Sequence, residues 1–378
     1  MYDFILLSNG YPSKEKLYNN AFIHRRVIEY INRGFEGIVL VIRPEHEKLN
    51  KYSYEGVTVY EVNHIKATQI IQKNQSSKLF IHFIDPYIMK SIRNANHCYE
   101  IYTWVHGSEA LSWKRRLFNL RPNVKQILSF VKYIVVNQRQ MKFMNRVIND
   151  YNLNMKFIFV SNWMKVILEQ DAKVSIPSNK YTIIPNIVDE NLFKFKEKDI
   201  NMRFKVLSIR PYTSRKYAND ISVKVIKELS KKKYFSQFEF TFFGDGFMFE
   251  KILRPIKHFE NVRINKCFLS QQEIVNQHEK HGIILAPTRQ DAQGVSMCEA
   301  ISSGLIPIVS NNSAIPEFTN DKFAYLCENV DDFVRAFDRI YEDSDEFTQK
   351  SRIGSDFINE KCGTNVIMKE LKFIGFGS

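Results

Sequence analysis

The polar residues best suited to form a binding or catalytic site lie between positions 285 and 304. Asp291 and Glu299 stand eight residues apart, the first in a polar loop and the second one turn into a helix predicted to begin near Ser296. Backbone amides at the start of a helix can bind an anionic phosphate. The two carboxylates could then accept hydroxyl groups at opposite ends of one ligand. Ser296 and Glu299 also match a Ser-x-x-Glu capping box, so helix capping is the alternative role of Glu299.

Three cations and one histidine also follow predicted strands. Arg210 comes directly after the strand predicted at 205–209, and Arg215 and Lys216 lie in the loop that follows. Cations held in a dry site stabilise the charge of a departing diphosphate, whereas most Arg and Lys side chains are simply solvated.

His106 follows the strand predicted at 101–105. A lone histidine is often structural, so its position at a strand end is what makes it a candidate.

Predicted strands and helices alternate along the whole chain and carry these residues. Short apolar runs rich in β-branched residues are separated by helix-length amphipathic segments, which is typical of parallel sheets covered on both faces. The predicted strands are 3–8, 37–43, 57–62, 79–84, 101–105, 133–137 and 157–160 in the first half, and 205–209, 239–243, 262–264, 283–286 and 305–309 in the second. The sequence therefore predicts an α/β protein with two doubly wound, Rossmann-like domains facing each other across a cleft. In such sheets ligands bind beyond the carboxyl ends of the strands, where all the candidates above lie.

The segment 175–189 is the predicted domain boundary. We expect an amino-terminal domain at 1–180 and a carboxyl-terminal domain at 181–344 that binds a nucleotide. The helical tail 345–378 belongs to no further strand–helix unit, and we expect it to pack back on the first domain.

Composition sets the class of protein. The chain has 378 residues, no apolar stretch long enough to span a bilayer, and an acidic residue where a signal peptide needs basic ones. Its five cysteines are scattered and odd in number, which favours a reducing cytoplasm over a disulfide framework. Asp343 and Asp345 match a metal-binding Asp-x-Asp but lie in an acidic helical run, and His278 and His281 lack suitable neighbours. We expect no metal site.

The excess positive charge lies in the first half of the chain. Residues 1–180 contain 26 Lys and Arg against 14 Asp and Glu. The segment 111–121 mixes aromatic residues with cations and is predicted to be an amphipathic helix that lies on an anionic membrane surface. Its contact residues would be Trp113, Lys114, Arg115, Arg116, Phe118 and Arg121. The alternative is an ordinary core-facing helix with a solvated basic side, and no nucleic-acid motif accompanies the segment.

The order and spacing of several short motifs resemble those of the retaining glycosyltransferases of family 4. Asp291 and Glu299 resemble the family's Glu-x7-Glu pair, with an aspartate in the first position. The other matching motifs are Thr103-Trp-Val-His106-Gly107, Pro185-Asn186-Ile187-Val188-Asp189, Val206-Leu-Ser-Ile-Arg210 followed by Arg215-Lys216, and Phe243-Gly244-Asp245-Gly246. The resemblance covers almost the full chain and implies the GT-B fold.

The resemblance also implies roles for these residues. The expected reaction moves a sugar from a nucleotide-diphosphate donor, a UDP-sugar, to a lipid-linked or cell-surface glycan, with retention and without a metal or other cofactor. Arg210 and either Lys216 or Arg215 would hold the diphosphate, Asp291 and His106 the donor sugar, and Glu299 the ribose. The remaining donor-binding positions would be Asn186, Gly244, Gly294, Val295 and Ser296.

Two other functions stay open at this point. A sugar-nucleotide 2-epimerase has a similar two-domain architecture but needs no membrane-facing acceptor surface, so the segment 111–121 counts against it. A non-catalytic, membrane-associated scaffold would not need Arg210, Asp291 and Glu299 together.

The chain departs from the family in Asp291, one methylene shorter than glutamate, and in Ile187, which replaces a glycine. The first departure bears on which donor sugar is bound.

Overall fold

A computed structural model describes residues 2–16, 19–75, 77–120 and 123–377. The chain forms two compact units, Met1–Ile187 with Val366–Ser378, and Val188–Asn365. Each unit is a sheet covered by helices.

The first unit contains an eight-stranded sheet in the order β3-β4-β2-β1-β5-β6-β7-β8, in which only the β3–β4 pair is antiparallel. Its strands are β1 Phe4–Ser8, β2 Gly37–Ile42, β3 Asn50–Tyr54, β4 Val57–Val62, β5 Lys78–His82, β6 Ile101–Val105, β7 Met155–Phe159 and β8 Tyr181–Ile183. Its helices are α1 Ala21–Asn32, α2 His64–Gln72, α3 Pro86–Asn94, α4 Val124–Ile148 and α5 Asn162–Ala172, with a last helix near the carboxyl terminus described below.

The second unit contains a six-stranded parallel sheet in the order β11-β10-β9-β12-β13-β14. Its strands are β9 Lys205–Ile209, β10 Glu239–Gly244, β11 Val262–Lys266, β12 Ile283–Ala286, β13 Ile306–Ser310 and β14 Tyr325–Cys327. Its helices are α6 Asn219–Leu229, α7 Phe249–Leu253, α8 Gln271–Lys280, α9 Val295–Ser302, α10 Ile315–Phe318, α11 Val330–Glu342 and α12 Ser344–Cys362. Helix α13, Val366–Ile374, returns to the first unit.

Local sequence explains where many of these elements begin and what they bury. The central strand β1 is buried at all five positions, as expected for a parallel strand covered on both faces. Asp85 caps α3 by accepting hydrogen bonds from the amides of Tyr87 and Ile88, and Pro86 occupies the first helical position. Ser270 and Glu273 form a capping box at the start of α8.

A buried polar network holds α13 in the first unit. The Nε of Arg26 donates to both carboxylate oxygens of Glu370 at 2.8 and 2.9 Å, and neither side chain is exposed. Trp104 Nε1 donates to the same carboxylate at 3.0 Å, and so does the hydroxyl of Tyr30. Because the ion pair has further hydrogen bonds, the cost of burying two charges is offset.

The unit boundaries in the structure differ from those expected at 180/181 and 344/345. Helix α12 stays in the second unit because two of its serines bond to the last residue of α9 and to Gly304, two positions further on. Ser351 Oγ donates to the carbonyl of Gly304 at 2.6 Å, and Ser355 Oγ donates to that of Ser302 at 2.7 Å. Only α13 of the tail joins the first unit.

The prediction of a strand at 133–137 is wrong. These residues lie inside the 25-residue helix α4. A short apolar run does not by itself distinguish a strand from part of a helix, and here Val135 and Val136 lie on the exposed side of α4 instead of in a sheet. Among the helices that the structure describes, none combines the length and the hydropathy needed to cross a bilayer.

Candidate active site

Arg210 supplies a buried positive charge at the carboxyl end of β9. The residue is 5% exposed, its Nη2 donates to the carbonyl of Pro287 at 3.0 Å, and its guanidinium lies 5.3 Å from the centre of the Tyr217 ring. Burial lowers the pKa of Arg210, an effect opposed by the negative charge of Asp291. Its buried Nε has no hydrogen-bond partner within the described part of the chain. An unsatisfied buried donor on a cation is costly, and an anionic ligand would satisfy it.

Arg215 and Lys216 lie in a short 3-10 turn, Arg215–Tyr217, which Arg289 holds in place. The Arg289 guanidinium binds Asp220 with two bonds of 2.8 and 2.6 Å and also donates to the carbonyl of Arg215 at 2.8 Å. The backbone amide of Arg289 donates to the carbonyl of Lys216 at 2.8 Å. Sequence reasoning missed Arg289, which is the third residue after β12 and so lies at the same end of the sheet as Arg210.

Gly244 is required by the close approach of two loops. Its φ is +154°, and a Cβ at this position would lie 2.0 Å from the carbonyl oxygen of Arg210. The amide of Arg210 donates to the carbonyl of Phe243 at 3.0 Å, and that of Tyr212 to Asp245 at 2.9 Å. The glycine therefore fixes the backbone beside Arg210, and any larger residue would displace it.

The loop before α9 is shaped by Asp291. Its Oδ1 accepts hydrogen bonds from the amides of Gly294 at 2.9 Å and Gln293 at 3.3 Å. Gly294, with φ +79°, is the N-cap of α9 and directly precedes Val295 and Ser296. The amino end of α9 therefore belongs to a loop whose turn is held by a carboxylate.

The capping-box alternative for Glu299 is wrong. Gly294 is the N-cap of α9, and Ser296 is already the second residue of the helix. A capping box needs the serine at the N-cap position, so Ser296 and Glu299 cannot form one. Glu299 is half-buried one turn into α9.

His106 in the first unit is paired with a second histidine, His82. The two rings are nearly parallel, and His82 Nδ1 lies 2.8 Å from His106 Nε2. Burial lowers the pKa of both imidazoles well below 6.5, and the positive charge of Arg26 acts in the same direction. His106 also contacts Phe22 and Phe83 at ring distances of 4.8 and 4.9 Å. Both imidazoles are therefore neutral at physiological pH.

The sequence contains a signal for His82, which the predicted site does not include. His82 ends β5 as His106 follows β6, and the two strands are parallel neighbours with His82 beside Trp104. The His82 ring stacks on Trp104 at 4.7 Å, while Phe83 has a φ of +60°. A bulky residue in the left-handed region is strained, and such strain is concentrated at functional sites.

The remaining donor-site candidate, Asn186, lies in the first unit. Its Oδ1 accepts a hydrogen bond of 3.4 Å from Arg26. The structure thus brings Arg210, Arg215, Lys216, Gly244, Asp291 and the start of α9 together in the second unit, whereas His106 and Asn186 belong to the first. No group of three or more His, Cys, Asp or Glu side chains suited to a metal ion occurs among the described residues.

The basic segment is not the continuous amphipathic helix that the sequence predicted. Residues Trp113–Asn119 form a 3-10 helix with a kink at Arg116. Arg115 pairs with Asp171 at 2.8 Å, and Arg116 donates to the carbonyl of Gly107 at 3.3 Å, so the chain itself engages both cations. Lys114 is exposed, Trp113 and Phe118 are half-buried, and Arg121 lies outside the described residues.

Comparisons with known proteins agree with this architecture. Residues 189–354 match the family model described as glycosyl transferases group 1. The structure of HepE from Anabaena, in complex with UDP and glucose, has a TM-score of 0.71 and 12% identity, with all of both chains covered. Sucrose-phosphate synthase from Thermosynechococcus elongatus has a TM-score of 0.71 and 9% identity, covering 98% of each chain. No curated protein matches the sequence.

TarM is a further structural neighbour, with a TM-score of 0.63 and 16% identity. The match covers 86% of this chain but 63% of TarM, so the chain spans less than two thirds of that protein. Together the neighbours establish the GT-B fold, and the predicted fold class is confirmed. The family match in the second unit supports a glycosyltransferase of the GT-B type.

Proposed function

We propose that the protein is a retaining, family 4 glycosyltransferase that moves a sugar from a UDP-sugar to a lipid-linked or cell-surface glycan, in the assembly of a polysaccharide, lipopolysaccharide or teichoic-acid type polymer. The observation that carries the proposal is Arg210, a buried cation with an unsatisfied Nε–H near Asp291 and the loop that begins α9. A buried cation with an unsatisfied N–H fits a diphosphate. Two structural neighbours were solved with UDP, HepE together with glucose and Staphylococcus aureus TarM together with α-GlcNAc-glycerol and fondaparinux.

In the proposed donor complex the second unit holds the nucleotide. Arg210 and Lys216 or Arg215 bind the diphosphate, and the amides of Gly294, Val295 and Ser296 add hydrogen bonds at the start of α9. Glu299 binds the ribose hydroxyls. Asp291 uses Oδ1 for its own loop, which leaves Oδ2 for the donor sugar. The cations perform the charge neutralisation that a metal performs in other transferases.

In the first unit His106 binds the donor sugar. Its Nε2 is occupied by His82, so Nδ1 is the nitrogen that meets a hydroxyl. No side chain is assigned as a nucleophile. The departing phosphate accepts the proton of the acceptor hydroxyl, as the resemblance to the retaining family implies.

The proposed location is the cytoplasmic, inner face of a membrane, to which the protein binds peripherally. Within the described part of the basic segment, exposed Lys114, Leu117 and Leu120 and the half-buried rings of Trp113 and Phe118 can face such a surface. A lipid-linked acceptor would be reached there. This location also accounts for the positive charge of residues 1–180.

The test is a screen of UDP-, GDP- and ADP-sugars in which nucleotide release is followed with and without glycan acceptors. We expect UDP release that depends on an acceptor. Release without an acceptor and with epimerised product would support the 2-epimerase, and an absence of binding or turnover with every donor would leave only a scaffold.

Arg210→Gln tests the carrying observation directly. The variant should bind UDP about tenfold to a hundredfold more weakly while binding uridine normally, because only UDP has the diphosphate. Arg254→Gln removes an exposed arginine of the same unit and should leave both affinities unchanged. Equal loss of uridine and UDP binding would show that Arg210 only supports the fold.

A further inference from the structure

Helix α4 carries an apolar face that is largely exposed to solvent. Five large apolar residues are solvent-exposed at spacings of three and four, which places them on one side of the helix. They are Val124, Ile127, Leu128, Val131 and Val135, with exposed fractions between 43% and 73%. The helix is held to the unit by other residues, including the buried Phe130, Asn137 and Met144. An apolar stripe of this length on a helix surface marks an interaction site.

The carboxyl-terminal half of α4 is cationic where the amino-terminal half is apolar. A groove of about 480 Å³ runs between α3 and α4. Five cations line it, Lys90, Arg93, Arg139, Lys142 and Arg146, together with the apolar Met89 and Phe143. Arg93 pairs with Asp150 at 3.1 Å, whereas no ion pair among the described residues engages the other four. The groove therefore has room and positive charge for anionic groups.

The charge of α4 and its surroundings indicates which partner binds the apolar face and the groove. Residues 110–149 contain nine Lys and Arg and no Asp or Glu. A symmetric dimer would place the same cationic surface against itself, and like charges would repel. An anionic bilayer is complementary instead, since each cation near such a surface adds to binding and the apolar side chains can enter the acyl boundary.

We propose that α4 docks the protein on a bilayer that contains anionic lipids. The apolar face inserts at the level of the headgroups, and the groove between α3 and α4 binds lipid phosphates. This inference rests on the proposed function, and it specifies the class of lipid in the membrane and the surface that binds it. The proposal places the principal membrane contact on α4 and not on the basic segment 111–121.

The experiment measures binding of the full-length chain to vesicles of phosphatidylcholine alone or with phosphatidylglycerol. We expect binding that requires phosphatidylglycerol and weakens as salt is raised. The variant Ile127→Ser/Leu128→Ser should weaken binding about tenfold or more, because two large apolar groups no longer leave water. Ile353→Ser is the matched control, since Ile353 on α12 is 42% exposed and Ile127 is 43% exposed. That control should bind vesicles like the unchanged protein.

A second pair of variants tests the groove. Arg139→Gln/Lys142→Gln should weaken binding several-fold and flatten its salt dependence. Lys224→Gln/Lys227→Gln removes two exposed cations at the same spacing from α6 and should change neither. If the two lysine-to-glutamine changes on α6 weaken vesicle binding as much as Arg139→Gln/Lys142→Gln does, then net charge determines binding. That result would overturn the role of the groove.

Sedimentation velocity and UDP affinity on the same preparations separate the remaining outcomes. If Ile127→Ser/Leu128→Ser dissociates a dimer and leaves vesicle binding unchanged, the face is a self-association surface and the proposal is wrong. Failure to bind vesicles with normal UDP affinity overturns only the docking of α4. Vesicle binding without affinity for any nucleotide sugar would instead overturn the proposed transferase.

Discussion

At the scale of residues, the pair of neutral histidines determines which nitrogen carries a proton. One proton is shared between His82 Nδ1 and His106 Nε2, and the other nitrogen of His82, Nε2, is buried without a partner among the described residues. A buried N–H without an acceptor is rarer than a buried acceptor without a donor. The arrangement therefore favours a proton on His82 Nδ1, donated to His106 Nε2. His106 then carries its own proton on Nδ1 and is a hydrogen-bond donor to a ligand, not a base.

Substitution of His82 tests this assignment. His82→Phe keeps the stacking on Trp104 but removes the hydrogen bond to His106, so turnover should fall by about tenfold. His82→Asn places an amide N–H near the position of Nδ1 and should recover part of that loss. UDP affinity, measured by calorimetry, should be unchanged in both variants. Equal turnover in the Phe and Asn variants would show that His82 only fills space.

Glu299 provides the second prediction at this scale. Because the helix cap is Gly294, Glu299→Gln should leave the melting temperature nearly unchanged. If the carboxylate accepts two ribose hydroxyls, nucleotide affinity should fall by roughly 1.5–3 kcal/mol, about ten- to over a hundred-fold. Glu360→Gln, an exposed glutamate on α12, is the control.

Asp291→Asn should behave differently from Glu299→Gln. Its Oδ1 can still accept the amides of Gly294 and Gln293, so the loop is retained, and UDP alone should bind normally while transfer is reduced. Calorimetry and turnover on both variants provide the comparison. Normal nucleotide binding by Glu299→Gln would remove Glu299 from the site.

At the scale of elements, α13 depends on a buried ion pair. Glu370→Gln removes the charge that neutralises Arg26, and breaking such a pair typically costs about 3–5 kcal/mol. Urea unfolding should show this loss, whereas Met368→Ala on the exposed side of the same helix should change stability little. The double variant Arg26→Met/Glu370→Met should be more stable than Glu370→Gln, because no charge is left unpaired. If the two were equally unstable, packing and not charge would hold α13.

The strand ends of both units could be predicted from the sequence, because buried parallel strands are continuous apolar runs. This placed Arg210 after β9 and His106 after β6 without any structure. The carboxyl-terminal half of α4 was predictable as a helix at 138–150, but its amino-terminal half was not, since the exposed face there is apolar and the usual sign of a surface helix is missing. The hydrogen bonds that keep α12 in the second unit join residues about 50 positions apart, and no local pattern encodes them.

At the scale of the whole molecule, buried histidines make stability depend on pH. Burial lowers the pKa of His278 to about 3, with the charge of Lys198 acting in the same direction. Burial lowers the pKa of His82 and His106 well below 6.5 as well. In each case the unfolded chain takes up a proton near pH 6.5 that the folded chain does not. The contribution to stability is therefore complete above about pH 6.5 and is lost as the pH falls.

Two buried carboxyl groups have the opposite effect on how stability changes with pH. Burial raises the pKa of Glu109 and of Asp85, so the folded chain holds their protons at a pH where the unfolded chain has released them. Their contribution is present below about pH 4 and is lost as the pH rises through the folded pKa. Each group contributes at most one proton to the difference between the unfolded and folded chain, and three histidines outnumber two carboxyl groups. The histidines should therefore set the sign of the net change between pH 6.5 and 5.5.

We therefore expect the melting temperature to fall steadily from pH 7 to pH 5.5. One histidine that stays neutral when folded contributes a loss of about 1.4 kcal/mol for each pH unit below 6.5. His278→Asn can retain a hydrogen bond to Ser303, which His278 Nδ1 contacts at 2.9 Å, and removes one titrating group. Its stability should change less between pH 7 and 5.5 by roughly that amount, as measured by urea unfolding at each pH. His258→Asn, which replaces an exposed histidine, should follow the unchanged protein, and an identical pH profile for His278→Asn would show that His278 is protonated in the folded state.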